Sequence, residues 1–412
     1  MNRSLPNNEA TAFEIRIIDK IDLKMRNIPR RTFLKTGLAA AAVAAAGPVL
    51  TACNNVNVNR KTSLGSGKMK MSFRGVDLEL RHTFTISGFS RDVTPNIQVR
   101  IEYDGLVGYG EGGLPPYMTG QTVATASEFL SKVNLEQFSN PFELDDILRY
   151  VDGIAPGMTC AKSAVDIALH DLIGKLMGQP CHRMFGYTAD KTPNTCYTIG
   201  IDTEEVIREK TLEAAPYKIL KVKLGVDEAT DKMLVNTVRS VSDKPIVVDA
   251  NQGWKDKHLA LDMICWLKEQ GVQMVEQPMP KTVFDDMAWV TENSPLPTYA
   301  DESCQRLVDV PKLHGVFTGI NLKLIKCSGL HEARQMIATA EAFGMDVMIG
   351  CTTESSCAIS AAAQIAPRMK FADLDGPLLI TNDMFDGIKF IDGKITLNDK
   401  PGIGVELLEP WA

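Results

Sequence analysis

The chain has 412 residues and a formal net charge of −7, with 44% hydrophobic and 23% charged residues. This length exceeds one ordinary core and predicts two packed domains, and the composition excludes an intrinsically disordered chain. The acidic balance argues against nucleic acid as a partner, because phosphate binding requires a basic surface.

Residues 1–53 have the features of an export leader. Arg30 and Arg31 precede an alanine-rich apolar run, as in twin-arginine signals, and Leu50–Cys53 is similar to a lipoprotein cleavage box. The run is too short for a stable membrane span. We therefore expect an exported cell-envelope or periplasmic lipoprotein, with its membrane anchor on Cys53 and a tether over residues 54–67. An alanine-rich helix of the mature protein is the alternative, and translation could start at Met1 or Met25.

Residues 68–190 predict an α+β capping domain. Met69–Leu80 and Asn96–Tyr103 alternate apolar and polar residues, which is typical of antiparallel strands. The glycine-rich segment Gly105–Gly113 predicts a loop. Helical periodicity follows at Thr122–Val133, Pro141–Tyr150 and Cys160–Met177. The last of these three segments is strongly amphipathic.

Residues 191–375 alternate short β-branched runs with helical runs. The eight predicted strands are Cys196–Gly200, Ile219–Gly225, Pro245–Asp249, Gln273–Glu276, Thr298–Asp301, Gly319–Leu324, Asp346–Gly350 and Lys370–Leu374. This period predicts an α/β fold with a (β/α)₈ (TIM-like) barrel, and an open doubly wound sheet is the alternative. Residues 376–412 return to short strands at Gly387–Phe390 and Lys394–Leu397, which we expect to pack on the capping domain.

Three carboxylates close three successive predicted strands. Asp249, Glu276 and Asp301 are spaced by 27 and 25 residues, which is one βα unit each. The carboxyl ends of barrel strands meet at one face, so the three anions would repel one another without a divalent cation. An all-oxygen ligand set favours Mg²⁺ over Zn²⁺. The alternative is that each acid caps the helix that follows it.

Lysines occupy the strands on either side of these acids. Lys221 and Lys223 share one strand face, Lys323 lies on the sixth strand across the barrel, and Lys326 is expected to start a loop. If both members of the first pair point inward, each lowers the pKa of the other, as a base near neutral pH requires. Two bases on opposite faces of one carbon can invert it, whereas a single base suits elimination.

The Lys-x-Lys, Asp, Glu, Asp, Lys series and the Gly108–Gly112 segment resemble the enolase superfamily, and within it the muconate-lactonizing subgroup. The resemblance extends over nearly all of Lys68–Pro410. It implies that Asp249, Glu276 and Asp301 bind one Mg²⁺ per subunit and that Lys223 and Lys323 are the two bases. Lys221 would assist Lys223 or contact the substrate carboxylate. We also expect a homo-oligomer.

One feature is similar to the dipeptide epimerases, among them the L-Ala-D/L-Glu epimerases. Asp373 and Asp375 end the eighth strand, where those enzymes carry an Asp-x-Asp that binds the substrate ammonium group. A pair of anions opposite the metal suits a zwitterion. The alternative is a turn or helix cap. The seventh-strand segment also resembles the epimerase pattern, so we expect three of its residues to line the pocket: Cys351, Thr352 and Glu354.

The L-Ala-D/L-Glu epimerases hold the glutamate side chain with an arginine in an N-terminal cap loop. The corresponding loop here, Thr85–Val93, contains Arg91, although a gap-free alignment puts Phe89 at the arginine position. Arg91 could reach the same place or lie on the surface.

The resemblance therefore implies a dipeptide epimerase that inverts the α-carbon of the C-terminal residue. No histidine ends a predicted strand, which argues against the dehydratases of this fold that use a histidine base. The alternatives are an N-succinylamino-acid racemase, an o-succinylbenzoate synthase or a cycloisomerase, whose substrates lack a free ammonium group, and a non-catalytic peptide-binding lipoprotein. An envelope location would make cell-wall peptides a reasonable substrate.

Overall fold

A computed structural model describes residues 67–86 and 89–411 of the chain. The predicted leader, Cys53 and almost all of the predicted tether lie outside the described residues. Within the described part of the chain, no helix combines the length and the apolar character needed to cross a membrane.

The N-terminal part begins with an antiparallel three-stranded sheet formed by β1 (Lys70–Ile86), β2 (Phe89–Tyr103) and β3 (Leu106–Gly113). Both predicted strands are therefore longer than expected. Five helices follow the sheet: α1 (Pro116–Thr119), α2 (Val123–Leu130), α3 (Leu144–Ile154), α4 (Thr159–Met177) and α5 (Cys181–Met184).

The prediction of a loop at Gly105–Gly113 is wrong, because Leu106–Gly113 is strand β3. Its glycines let α4 lie directly on the sheet. A Cβ atom at Gly108, Gly110 or Gly112 would approach a carbonyl oxygen of α4 to 2.1, 2.0 or 2.2 Å, respectively. The glycines are therefore required by close packing of two backbones and do not indicate a loop.

Helix α4 is buried on all sides from Cys160 to Gly174, so the prediction of a strongly amphipathic helix is also wrong. Two of its buried aspartates are paired with neighbours on different sides of the helix. Asp171 accepts hydrogen bonds from the backbone N–H groups of Tyr109 in β3 and Ile403 near the C-terminus, both at 2.9 Å. Asp166 accepts one from the backbone N–H of Leu330 at 2.5 Å. Helix α4 therefore connects the sheet to the second part of the chain through buried, paired groups.

The second part is a parallel eight-stranded sheet in sequential order: β4 (Cys196–Ile199), β5 (Ile219–Lys223), β6 (Ile246–Asp249), β7 (Val272–Glu276), β8 (Thr298–Ala300), β9 (Gly319–Leu322), β10 (Asp346–Gly350) and β11 (Phe371–Asp373). Seven helices lie between and around these strands: α6 (Glu204–Glu213), α7 (Glu228–Val241), α8 (Lys257–Glu269), α9 (Phe284–Asn293), α10 (Val310–Leu313), α11 (Leu330–Ala342) and α12 (Ser356–Ala363).

The first and last strands of this sheet meet. A parallel bridge joins Thr195 to Ala372, and the Leu374 backbone N–H donates to the Thr195 hydroxyl at 2.9 Å. The predicted (β/α)₈ barrel with an α+β cap is confirmed, and the open doubly wound alternative is wrong.

The alternation of side chains along the strands separates two environments. Outward residues such as Leu220 and Val222 pack into the main core beneath the helices. Inward residues near the strand starts form a small apolar cluster of Cys196, Val247, Met274, Tyr299 and Met348. Inward residues near the carboxyl ends are charged instead, so the active-site chemistry is confined to one end of the barrel.

The C-terminal segment contacts both parts. Residues 379–381 pair with β1, through Arg81 N–H to Leu379 O and Thr381 N–H to Glu79 O, both at 2.9 Å. A hairpin of β13 (Lys389–Ile391) and β14 (Lys394–Thr396) instead contacts the start of the barrel, where the Thr195 N–H donates to Gly393 O. Two short strands, β12 (Phe385–Asp386) and β15 (Glu406–Leu407), pair with each other.

Candidate active site at the carboxyl ends of the barrel strands

The three predicted carboxylates converge. Asp249 ends β6, Glu276 ends β7, and Asp301 directly follows β8. All three are fully buried, and one oxygen of each lies within 4.8 Å of the others. The helix-cap alternative is wrong, since α8 is capped by Asp256 and neither Asp249 nor Asp301 caps a helix.

Lysines reach this cluster from two sides. Lys223 Nζ lies 2.8 Å from Asp249 Oδ2, and Lys323 Nζ lies 2.8 Å from Asp301 Oδ2. Lys221, on the same strand face as Lys223, contacts Glu276 Oε2 at 2.7 Å and Asp249 Oδ2 at 3.3 Å. The cluster therefore contains the amines and carboxylates that the sequence predicted, brought within hydrogen-bonding distance.

The sequence pattern did not predict that two further residues belong to this cluster. Lys326 follows β9 as expected, but it is buried and donates to both Oδ1 and the backbone O of Asp301, at 2.6 and 2.8 Å. Asn321 donates from Nδ2 to Glu276 Oε1 at 2.6 Å. The period-two alternation that placed Lys323 inside the barrel also places Asn321 there, whereas Lys326 reaches the site only through a turn.

The electrostatics of the cluster depend on these pairings. Burial raises the pKa of Glu276, and with the negative charge of Asp249 it brings that pKa to about 7. Burial acts the same way on Asp249 and Asp301, but the neighbouring lysines outweigh it and lower both pKa values. The neighbouring amines thus favour the ionised forms of Asp249 and Asp301, whereas burial and the charge of Asp249 favour the protonated form of Glu276.

The pKa of Lys221 is shifted in the direction opposite to the prediction. Burial lowers the pKa of Lys221, but the charges of Asp373, Glu276 and Asp249 outweigh burial and raise it well above the ordinary value. Asp301 and Glu276 likewise raise the pKa of Lys323 against the effect of burial. The expectation that paired lysines would have lowered pKa values is wrong for Lys221, since carboxylates dominate its surroundings.

The donor set fits a divalent cation. The cluster offers three carboxylate oxygens, which suits a hard ion such as Mg²⁺. A cation held by these oxygens would compete with the lysine ammonium groups for the same negative charge. The pKa of Lys323, which Asp301 and Glu276 raise, would then fall toward the range in which a lysine can accept a proton.

A cavity opens from the two lysines toward the cap. Its lining combines barrel and cap residues: Lys223, Lys323, Thr198, Asn251, Cys351, Thr352, Thr353, Asp373, Asp375, Leu379, Arg91, Tyr117 and Met118. Lys221 and Glu354, which were predicted to bind substrate, lie behind this lining and are buried at 1% and 4% exposure. The cavity thus brings the proposed bases and the Asp-x-Asp pair to one space.

Asp373 and Asp375 are fixed by the first barrel strand. Thr198 donates its hydroxyl to Asp373 Oδ1 at 3.2 Å and its backbone N–H to Asp375 Oδ2 at 2.7 Å. Lys221 Nζ lies 2.6 Å from Asp373 Oδ2. Burial and the charge of Asp373 raise the pKa of Asp375 to about 7. The Asp375 side chain makes no helix-capping hydrogen bond, so the cap alternative does not explain it.

Arg91 lies at the cap side of the cavity. Its Nη2 donates to Thr353 Oγ1 at 3.0 Å, and its guanidinium lies over the Tyr117 ring, 5.5 Å from the centroid. Arg91 is partly exposed and lines the cavity, so its position is compatible with the predicted contact to the substrate. Arg91 connects the cap to the loop that follows β10.

Comparison with known families agrees with this architecture. Residues 70–186 match the N-terminal domain of mandelate racemase and muconate lactonizing enzymes, and residues 203–411 match the enolase C-terminal domain-like family. The chain belongs to the enolase superfamily. Residues 27–47 match the signal sequence of the twin-arginine translocation pathway, so this member of the superfamily carries an export signal.

Similar proteins are epimerases and racemases. An L-Ala-D/L-Glu epimerase of Bacteroides thetaiotaomicron is 57% identical over 385 residues, covering 91% of this chain and 98% of the relative. A dipeptide epimerase structure from Enterococcus faecalis with Mg and L-Leu-L-Tyr has a TM-score of 0.76 and 31% identity, covering 82% and 99% of the two chains. An N-succinyl Arg/Lys racemase structure from Bacillus cereus has a TM-score of 0.78 and 29% identity, covering 83% and 96%.

We predict that Mg²⁺ raises the unfolding temperature of metal-free protein. A ligand that binds only the folded state stabilises it by about 2.7 kcal/mol at about 100 times its Kd. Calorimetric unfolding with and without Mg²⁺ measures the shift, and Asp301→Asn should remove most of it. Asp286→Asn, which alters an acid paired with Lys257 at 2.9 Å, is the control. An undiminished shift in Asp301→Asn would contradict the assignment.

Proposed function

We propose that the protein is a dipeptide epimerase that inverts the α-carbon of the C-terminal residue of a dipeptide. One observation carries the proposal. Lys223 and Lys323 come from different sides of the carboxylate cluster and line one cavity together with Asp373 and Asp375. The relatives named for dipeptide epimerisation support it.

The residues divide the reaction among them. Asp249, Glu276 and Asp301 would hold one Mg²⁺ per subunit, which would bind the substrate carboxylate and offset the charge that develops when the α-proton leaves. Lys223 or Lys323 removes the α-proton from one face, and the other lysine donates a proton to the opposite face. Which lysine acts first depends on the configuration of the bound epimer.

The ammonium end of the dipeptide would bind Asp373 and Asp375. Lys221 touches both Glu276 and Asp373, at 2.7 and 2.6 Å. It therefore holds the ammonium-binding carboxylate at a fixed distance from the metal-binding carboxylates. A zwitterionic substrate of matching length would be oriented with its α-carbon between the two lysines.

An N-succinylamino-acid racemase is the second candidate, because the Bacillus cereus structure named above has the same fold. An N-succinylamino acid carries the carboxylate of its succinyl group at the end where a dipeptide carries its ammonium group. Asp373 and Asp375 would then have no cation to bind, and desolvating them would oppose binding. The aspartate pair therefore favours the dipeptide.

Incubation in deuterated water with dipeptides and N-succinylamino acids tests the function. We expect α-deuterium in dipeptides such as L-Ala-L-Glu, detected by proton NMR. Lys223→Ala and Lys323→Ala should each slow epimerisation by about 10³-fold or more and should each retain exchange of one epimer only. Lys257→Ala, a surface control, should exchange both.

Exchange confined to N-succinyl substrates would favour the racemase. Binding of dipeptides by wild-type protein without any exchange would favour a non-catalytic peptide-binding lipoprotein.

We propose further that Arg91 binds an acidic C-terminal side chain, because its guanidinium lies at the cap side of the cavity. Arg91→Met should lower kcat/KM for L-Ala-L-Glu by about 10- to 100-fold, the cost of a lost hydrogen bond to a charged group. It should change kcat/KM for L-Ala-L-Leu by less than about threefold. Arg149→Met, at an exposed arginine paired with Asp145, is the control. Equal losses for both dipeptides would contradict this role.

We propose that export ends in lipid anchoring at Cys53 and that cell-wall peptides supply the dipeptide. The cleavage box of residues 50–53 and the export signal support the anchor. Cys53→Ser should move the protein from the membrane fraction to the soluble fraction, measured by cell fractionation, because a thiol is needed for lipid attachment. Cys265→Ser, at an exposed cysteine, is the control. Membrane retention of Cys53→Ser would contradict the anchor.

A further inference from the structure

The loop after β10, residues 351–355, forms one wall of the cavity through Cys351, Thr352 and Thr353. We call it the seventh-strand loop. It lies against the cap, and two buried carboxylates hold it there. One of them belongs to the cap and the other belongs to the loop.

Glu111 of β3 is the cap carboxylate, and it has no exposed surface. Its Oε1 accepts the Ser355 backbone N–H at 2.7 Å, and its Oε2 accepts the Ser355 hydroxyl at 2.5 Å and Gln98 Nε2 at 2.8 Å. Ser355 Oγ in turn accepts the Cys357 N–H at the start of α12. A cap residue therefore fixes the point where the loop ends and α12 begins.

Glu354 makes the reciprocal contact. Its Oε1 lies 3.4 Å from the Gly113 N–H at the end of β3, and its Oε2 accepts the Thr352 N–H at 3.0 Å. A Cβ atom at Gly113 would lie 2.7 Å from Thr352 Oγ1. Strand β3 and the seventh-strand loop thus meet without room for one additional methyl group.

This contact bears on specificity, because the loop also holds the cap arginine. Thr353 Oγ1 accepts a hydrogen bond from Arg91, and Thr353 O accepts one from Asn96 Nδ2 at 3.4 Å. Lys223 ends β5, and Lys323 directly follows β9. Neither lysine is attached to the seventh-strand loop.

We propose that Glu111 is a positioning residue that fixes the seventh-strand loop relative to Arg91, and thereby controls dipeptide affinity and side-chain selectivity but not proton transfer. The inference rests on the proposed function. The buried Glu111 carboxylate accepts hydrogen bonds from three donors. Replacing the carboxylate by an amide would place donors against one another, and this repulsion would release the loop. Burial raises the pKa of Glu111 to about 7, which the hydrogen bonds from Ser355 and Gln98 oppose.

A matched variant distinguishes the proposed positioning role of Glu111 from a purely structural role. Asp171 is also fully buried and also joins β3 to a distant segment, but it does not contact the seventh-strand loop. Asp171→Asn should therefore destabilise the fold and leave KM unchanged.

The test compares Glu111→Gln and Ser355→Ala with the wild type and Asp171→Asn in the metal-loaded enzyme. We expect KM for L-Ala-L-Glu to rise about tenfold or more in both Glu111→Gln and Ser355→Ala. We expect kcat to stay within about threefold of the wild-type value. The preference for L-Ala-L-Glu over L-Ala-L-Leu should fall. In Glu111→Gln and Ser355→Ala, amide hydrogen exchange of residues 351–357 should become about tenfold faster or more. In Asp171→Asn, the exchange rates of the same residues should not change.

The outcomes that overturn the inference are distinct from failure of the proposed function. Unchanged KM in Glu111→Gln, or equal changes in Asp171→Asn, would overturn it. If the wild type exchanges the α-proton of no dipeptide, the proposed function fails. In that case, unchanged amide hydrogen exchange of the loop in Glu111→Gln would overturn the inference by itself. If Glu111→Gln does not fold, Ser355→Ala decides, since it removes only a hydroxyl group.

Discussion

The ammonium group of Lys221 is held among three buried carboxylates, at 2.6 Å from Asp373, 2.7 Å from Glu276 and 3.3 Å from Asp249. Only 1% of this residue is exposed. Desolvating so many acids would be prohibitive without a compensating charge at the centre, and breaking a buried pair leaves an uncompensated ion. The barrel can therefore present acids on neighbouring strands only because lysines on the same inward face balance them.

This balance also links two functions. Lys221 connects the carboxylates that fit a metal to the aspartate that would bind an ammonium group, so the two ends of a substrate are placed by one buried residue. The reacting carbon would lie between them, where Lys223 and Lys323 enter the cavity. Proton transfer by these two lysines would thus depend on groups that lie on a barrel strand or directly after one.

The groups that we propose select the substrate lie at the junction of cap and barrel. The cap contributes Arg91 and Tyr117, and the barrel contributes the seventh-strand loop and Asp373. The cap in turn is fixed by the contact of glycines in β3 with α4. Dipeptide epimerases and an N-succinylamino-acid racemase have nearly the same fold as this chain. Charges at the cavity ends can therefore change the substrate while the proton-transfer groups stay in place.

The sequence alone determined the barrel, the shared strand face of Lys221 and Lys223 and the position of the three acids at strand ends, because period-two alternation and strand spacing are local rules. The same rule could have identified Asn321. The tertiary structure alone decided that Leu106–Gly113 is a strand, that Lys326 reaches Asp301 and that Glu111 holds a pocket loop. It also decided that the pKa values of Lys221 and Lys323 rise. Each of these depends on a backbone or a charge supplied by a segment distant in the chain, and no local pattern records such a contact.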